Sequence, residues 1–159
     1  MDHDYRQRWF EDYLEGETAE FGDHQVSEEE IVAFARRYDP QPFHVDADAA
    51  RRSPFGGLIA SGWMTCSIAM RMLVEHFISE HASMGSPGLD SLRWPAPVRP
   101  GDRLRVRVTV LESRPSRSKP DRGSIRLRQE VLNQHDEVVM LSEGWGIYRR
   151  RPPGGAGSR

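Results

Sequence analysis

The sequence predicts an α+β domain in which a curved antiparallel β-sheet wraps around one long central α-helix. Residues 58–81 are the most apolar stretch, and Leu58, Ile59, Trp63, Met64, Ile68, Ala69, Met72, Leu73 and Phe77 cover most of a helical circumference, the pattern of a buried helix. Downstream the period changes to two: Leu104, Val106, Val108 and Val110 alternate with Arg103, Arg105, Arg107 and Thr109, as in a half-buried strand. Helical patterns come first and a run of strands follows, an order that points to segregated helices and an antiparallel sheet.

The chain of 159 residues fits one domain and is long enough to bury a core without disulfides or metal. A net charge of −2 gives no argument for nucleic acid or an anionic membrane as partner. Cys66 stands alone, which rules out an intramolecular disulfide and fits a reducing compartment. No apolar run reaches the ~18 residues that span a bilayer. The first residues, Met1-Asp2-His3-Asp4-Tyr5-Arg6, are too polar and acidic for a signal peptide, so the expected compartment is the cytoplasm.

Residues 1–16 form a polar arm with an aromatic cluster (Tyr5, Trp9, Phe10, Tyr13), and the domain proper is expected over 17–150. Thr18, Phe21 and Val26 mark an edge strand. Ser27 with Glu30 forms a capping box that opens a helix, whose apolar positions are Ile31, Phe34, Ala35 and Tyr38. A short helix follows over 46–52, with Asp46 and Asp48 as capping residues, and Ser53-Pro54-Phe55-Gly56-Gly57 breaks it. Later strands are expected at 89–94, 104–110, around Ile125, Leu127 and Val131, and at 138–148. Ser, Arg and Pro over 113–123 suggest a long mobile hairpin loop. Residues 151–159 read as a disordered tail, with the arginines at its start solvated.

Function concentrates at the end of the first helix, in Tyr38-Asp39-Pro40-Gln41-Pro42-Phe43-His44-Val45-Asp46. Two prolines stiffen this stretch and turn Asp39 and Gln41 away from helical conformations. Rigid backbone carrying an acid and a base is what shared chemistry on a small molecule requires, so Asp39 and His44 form a candidate acid/base pair. The negative end of the preceding helix would tend to raise the Asp39 pKa slightly. Ser61 and Gly62 fall in the first turn of the central helix, where N–H groups lack intrahelical partners. With no side chain at Gly62 a ligand oxygen can approach the backbone closely, and equally the glycine can serve close helix–sheet contact; both readings stay open.

The segment Asp39-Pro40-Gln41-Pro42-Phe43-His44 resembles the D-x-N-P-x-H motif of the MaoC-like, (R)-specific enoyl-CoA hydratases. Phe55-Gly56-Gly57-Leu58-Ile59-Ala60-Ser61-Gly62-Trp63-Met64 resembles the glycine-containing start of that family's central helix. Leu92-Arg93-Trp94 and Pro97-Val98-Arg99-Pro100-Gly101-Asp102 resemble the strand and turn beyond it. The similarity extends over 16–148. It implies a hot-dog fold, usually a homodimer, that binds an acyl thioester of coenzyme A or acyl carrier protein near the dimer interface and needs no cofactor or metal. It further implies that Asp39 and His44 activate the water added to the enoyl double bond. Gly62 would donate its N–H to the thioester carbonyl, with Gln41, Pro42, Phe43, Ser61 and Trp63 binding substrate. The sequence departs from the pattern at three places: Gln41 replaces the motif asparagine, Ser61 stands where histidine is frequent, and Met70 replaces a polar residue unless Ser67 takes its part.

Two other functions fit the same fold. A thioesterase would need a nucleophile or base on the central helix, which offers only Glu75, late in its length. A non-catalytic acyl-thioester-binding subunit has no need of the Asp39/His44 pair. Cys66, inside the apolar helix, reads as a buried thiol. Arg93, Arg99 and Arg103 are candidates for coenzyme A phosphates, although strand-end arginines are more often solvated.

Overall fold

The computed structural model describes residues 4–154. Its five-stranded antiparallel sheet has the order β1-β3-β4-β5-β2, built from β1 (Thr18–Gln25), β2 (Gly88–Arg93), β3 (Arg103–Pro115), β4 (Arg122–Leu132) and β5 (Val138–Arg149). Four α-helices accompany it: α1 (Glu28–Tyr38), α2 (Pro42–Val45), α3 (Ala47–Arg52) and α4 (Gly62–His76). α4 lies against the sheet, touching β1, β3 and β5, which is the expected hot-dog arrangement. Among the described residues no helix is long and apolar enough to cross a membrane.

Binary pattern and burial agree along the central strands. Leu104, Val106, Val108 and Val110 of β3 are buried together with Ile125, Leu127 and Val131 of β4. On α4 the inward positions are Met64, Thr65, Ile68, Ala69, Met72 and Leu73, which recur at three- and four-residue spacing. Burial of such side chains contributes roughly 1.5–3 kcal/mol each.

Four expectations need correction. The central helix starts at Gly62, not residue 58, and ends at His76. Residues 58–61 are extended because their backbone bonds outward instead: the Ile59 N–H donates to the Phe43 carbonyl and the Ala60 N–H to that of Val98. The hairpin loop is shorter than its composition suggests, since β3 continues to Pro115, paired with Gly123, and only 116–121 lie between the strands. Tyr38 is exposed, leaving Ile31 and Ala35 as the buried face of α1. Arg150 and Arg151, expected to be solvated, bond to Glu11 and Asp12 of the arm. Of the expected tail, 155–159 lie outside the described residues.

The arm forms two single-turn 3-10 helices, Tyr5–Gln7 and Phe10–Asp12, and buries Phe10 and Tyr13. The Tyr13 hydroxyl donates to the Phe77 carbonyl and accepts from the Ser79 N–H, tying the arm to the chain beyond α4.

β1 shifts register between Phe21 and His24, and Gly22 there has φ +88°. A Cβ at this position would stand 2.1 Å from Met72 Sδ, so the bulge and the missing side chain together admit Met72 of α4. Gly22→Ala is therefore expected to cost about 1–3 kcal/mol from crowding, with backbone strain added. Thermal unfolding would read this as a lowered Tm, and in a Met72→Ala background, itself less stable for the lost core side chain, the crowding part of the Gly22→Ala loss should disappear.

Candidate active site

α1 delivers the acid. Its capping box is present, with Ser27 accepting from the Glu30 N–H and Glu30 from the Ser27 N–H, and the helix ends with Asp39 as C-cap. Pro40 prevents continuation. Pro42 then occupies the first turn of α2, a favourable place for a residue without an N–H, and that single turn carries His44. The motif is thus partly helical rather than wholly irregular.

Asp39 and His44 meet: His44 Nε2 lies 3.2 Å from Asp39 Oδ2. His44 is 5% exposed, while the Asp39 side chain keeps 19% of its surface in solvent. The other imidazole nitrogen, Nδ1, stands 2.7 Å from the Ile59 carbonyl oxygen. A carbonyl can only accept, so Nδ1 carries a proton and donates. In the neutral ring Nε2 is then the free base, and when it too is protonated it points at a carboxylate. Phe43 packs edge-on against the His44 ring at 4.6 Å and against Phe55 at 5.2 Å, limiting ring movement.

The Asp39 carboxylate is held at both oxygens. Gln41 Nε2 donates to Oδ1 at 2.7 Å, and Ser61 Oγ donates to Oδ2 at 2.7 Å. Burial pushes the Asp39 pKa up, but donors from Gln41 and Ser61 and the facing His44 outweigh it, so the net shift is downward. This reverses the slight rise expected from the α1 dipole, because hydrogen bonds at contact distance exceed a helix-end effect. Gln41 and Ser61, expected at the substrate, thus turn their polar atoms to Asp39. Ser61 is fully buried and also caps α4, its Oγ accepting from the Trp63 N–H at 3.3 Å.

Gly62 is the first residue of α4, and its N–H is among the donors a helix start leaves without intrahelical acceptors. Trp94 explains the missing side chain: a Cβ on Gly62 would lie 2.4 Å from the indole Cε2, and Trp94 Nε1 donates to the Gly62 carbonyl at 3.1 Å. Trp63 is 58% exposed and meets Trp94 edge-to-face at 5.3 Å. Cys66 is half-buried rather than buried, and burial pushes its thiol pKa up. Ser67 Oγ turns back to the Trp63 carbonyl. Of the arginine candidates, Arg103 pairs with Asp23, and Arg99 reaches the Phe55 carbonyl at 2.7 Å, bracing the loop before α4.

Sequence reasoning missed the Ile59 carbonyl and Trp94. A backbone acceptor leaves no mark in a side-chain pattern. The Trp94 contact had a signal, the glycine opening an otherwise apolar helix, but nothing to identify what lies over it. A cavity of about 680 Å³ between the arm and the chain's end, lined by residues including Trp9, Pro120 and Arg149, contains none of the motif residues.

Residues 13–131 match the family model described as a MaoC like domain. A MaoC-like dehydratase from Rhodospirillum rubrum superposes with a TM-score of 0.85 at 45% identity, covering 91% of this chain and 99% of the other. An uncharacterized protein of Bacillus subtilis, YdeM, is 30% identical over 119 residues, 75% of this chain and 83% of the relative. The 3-hydroxybutyryl-CoA dehydratase of Methylorubrum extorquens is 34% identical over 110 residues, 69% of this chain and 68% of the relative. With a family match over most of its length and the Asp/His motif assembled on the hot-dog scaffold, the chain belongs to the MaoC-like dehydratase family.

Proposed function

We propose that the protein is an enoyl-thioester hydratase, equivalently a 3-hydroxyacyl-thioester dehydratase, acting on acyl groups carried by coenzyme A or acyl carrier protein. The observation that supports this best is the 3.2 Å contact between Asp39 and the buried His44, on a loop bonded through Ser61 to the start of α4. Adding water to a double bond conjugated with a thioester needs a base at the water, a proton for C2 and donors for the developing enolate oxygen. In hydration, water held by Asp39 and His44 gives its proton to Nε2 as its oxygen bonds to C3. The imidazolium is stabilised by the Asp39 carboxylate and the Ile59 carbonyl. Electron density moves to the thioester oxygen, where the Gly62 N–H donates, and the proton then passes to C2. Dehydration is the reverse. The proton is returned within one turnover, so no redox cofactor is called for.

Glu75, the base expected to serve a thioesterase, forms an ion pair with Arg71, and His76, the other base on α4, packs against Tyr5 and Phe21, which speaks against that alternative. The proposed assembly is a homodimer. α4 leaves Trp63, Met70 and Val74 exposed along one stripe, and Trp63 meets Trp94 just beyond β2, an edge strand with Leu89 also exposed. An open strand edge continuous with an apolar helix face suits a second copy related by a two-fold axis.

The decisive assay is loss of the enoyl-thioester absorbance of crotonyl-CoA. Both Asp39→Asn and His44→Ala are expected to lower kcat by roughly 10²–10⁴-fold. Unchanged turnover in either variant would remove that residue from the mechanism. Silence of the parent across short, long and branched enoyl thioesters would favour the non-catalytic binding subunit. Sedimentation should give the parent twice the 18.2 kDa chain mass, and Val74→Glu the mass of a single chain.

A further inference from the structure

We propose that, within the hydratase reading above, Ser61 is a positioning residue that fastens the Asp39 carboxylate to the same helix start whose Gly62 N–H receives the substrate oxygen. One hydroxyl joins the two halves of the site. Its proton goes to Asp39 Oδ2 at 2.7 Å, and its oxygen accepts from the Trp63 N–H at 3.3 Å, with Gly62 between. The acid/base pair lies at the end of α1 and in α2, and the oxyanion donor on α4, so relative placement depends on contacts between elements distant in sequence.

Of the two donors to Asp39, Ser61 is the one water cannot replace. Gln41 is exposed, and solvent can substitute for its amide at Oδ1. Ser61 is 0% exposed, and loss of its hydroxyl leaves an oxygen of a partly buried carboxylate without its donor. Oδ2 is also the oxygen that faces His44 Nε2, so Ser61 fixes the direction from which Asp39 meets the imidazole. Because this donor favours the charged form, its removal should raise the Asp39 pKa toward the ordinary carboxylate value.

The test compares the parent with Ser61→Ala, Ser61→Thr and Ser27→Ala. The last removes the N-cap of α1 and controls for simple cap loss. Carbon-13 NMR of labelled aspartate carboxyls follows the Asp39 titration without relying on turnover, and kcat and KM for crotonyl-CoA are measured against pH in parallel. Ser61→Ala is expected to move the Asp39 midpoint upward. Its kcat should fall roughly tenfold or more, with KM changed by less than about threefold. Ser61→Thr, which keeps the hydroxyl, should restore the midpoint, whereas Ser27→Ala should lower Tm alone. A folded Ser61→Ala protein with the parent's Asp39 midpoint and rate profile would overturn the proposal. A parent inactive on every enoyl thioester would defeat the hydratase reading instead, and the NMR midpoint would still show whether Ser61 holds Asp39.

Discussion

The site depends on the buried, extended stretch at 58–61. Leu58, Ile59, Ala60 and Ser61 are all shielded from solvent, yet none belongs to a helix or a sheet strand. Buried backbone polar groups must find partners, and here they do so on two sides. Ile59 bonds through its N–H to Phe43 and through its carbonyl to His44, while Ala60 bonds to Val98. These bonds join the motif loop, the start of α4 and the turn before β3 into one unit. They also explain why the helix begins four residues later than its apolar composition suggests: a helical residue 59 would give up the acceptor that His44 needs.

Electrostatics at Asp39 follow from that placement. The C-terminus of α1 and partial burial both oppose a charge there, and hydrogen bonds from two side chains together with the facing histidine prevail. The carboxylate is kept ionised by donors with defined directions, rather than by free solvent, and such preorganisation costs no rearrangement when charge moves during a reaction. His44 is arranged in a complementary way, with its outward nitrogen beside the carboxylate and its inward nitrogen committed to a carbonyl.

The rest of the surface divides by charge. Arg107 pairs with Glu130, Arg105 with Asp136, and Arg126 and Arg128 both with Glu143, so these arginines of β3 and β4 each meet an acid of the sheet or of its turn. Exposed pairs of this kind contribute little stability. A continuous share of the apolar exposure lies on α4, around the Trp63–Trp94 contact and at Leu89 in β2, while Leu14, Tyr38 and Phe55 are exposed elsewhere. The two faces have opposite character because strand alternation sends Arg and Glu outward, while α4 is apolar on more of its circumference than the sheet can cover.

Much of this was present in the chain itself. Alternation in 104–110 determined the buried faces of the sheet, the Ser27/Glu30 box and Pro40 bounded α1, and the Asp39-to-His44 spacing marked the candidate pair, because these signals are local and repeat with the period of the element they form. Local composition misled where long-range pairing outweighed it: the Ser- and Arg-rich 113–115 became strand because β4 offered a ladder. Tertiary structure alone decided that Ser61 and Gln41 turn to Asp39, that the Ile59 carbonyl sets the His44 tautomer, and that Trp94 covers Gly62. Apart from the Gln41 bond, these contacts join residues fifteen or more positions apart, and two of them use backbone atoms that every residue possesses, so only the folded chain could show which groups meet.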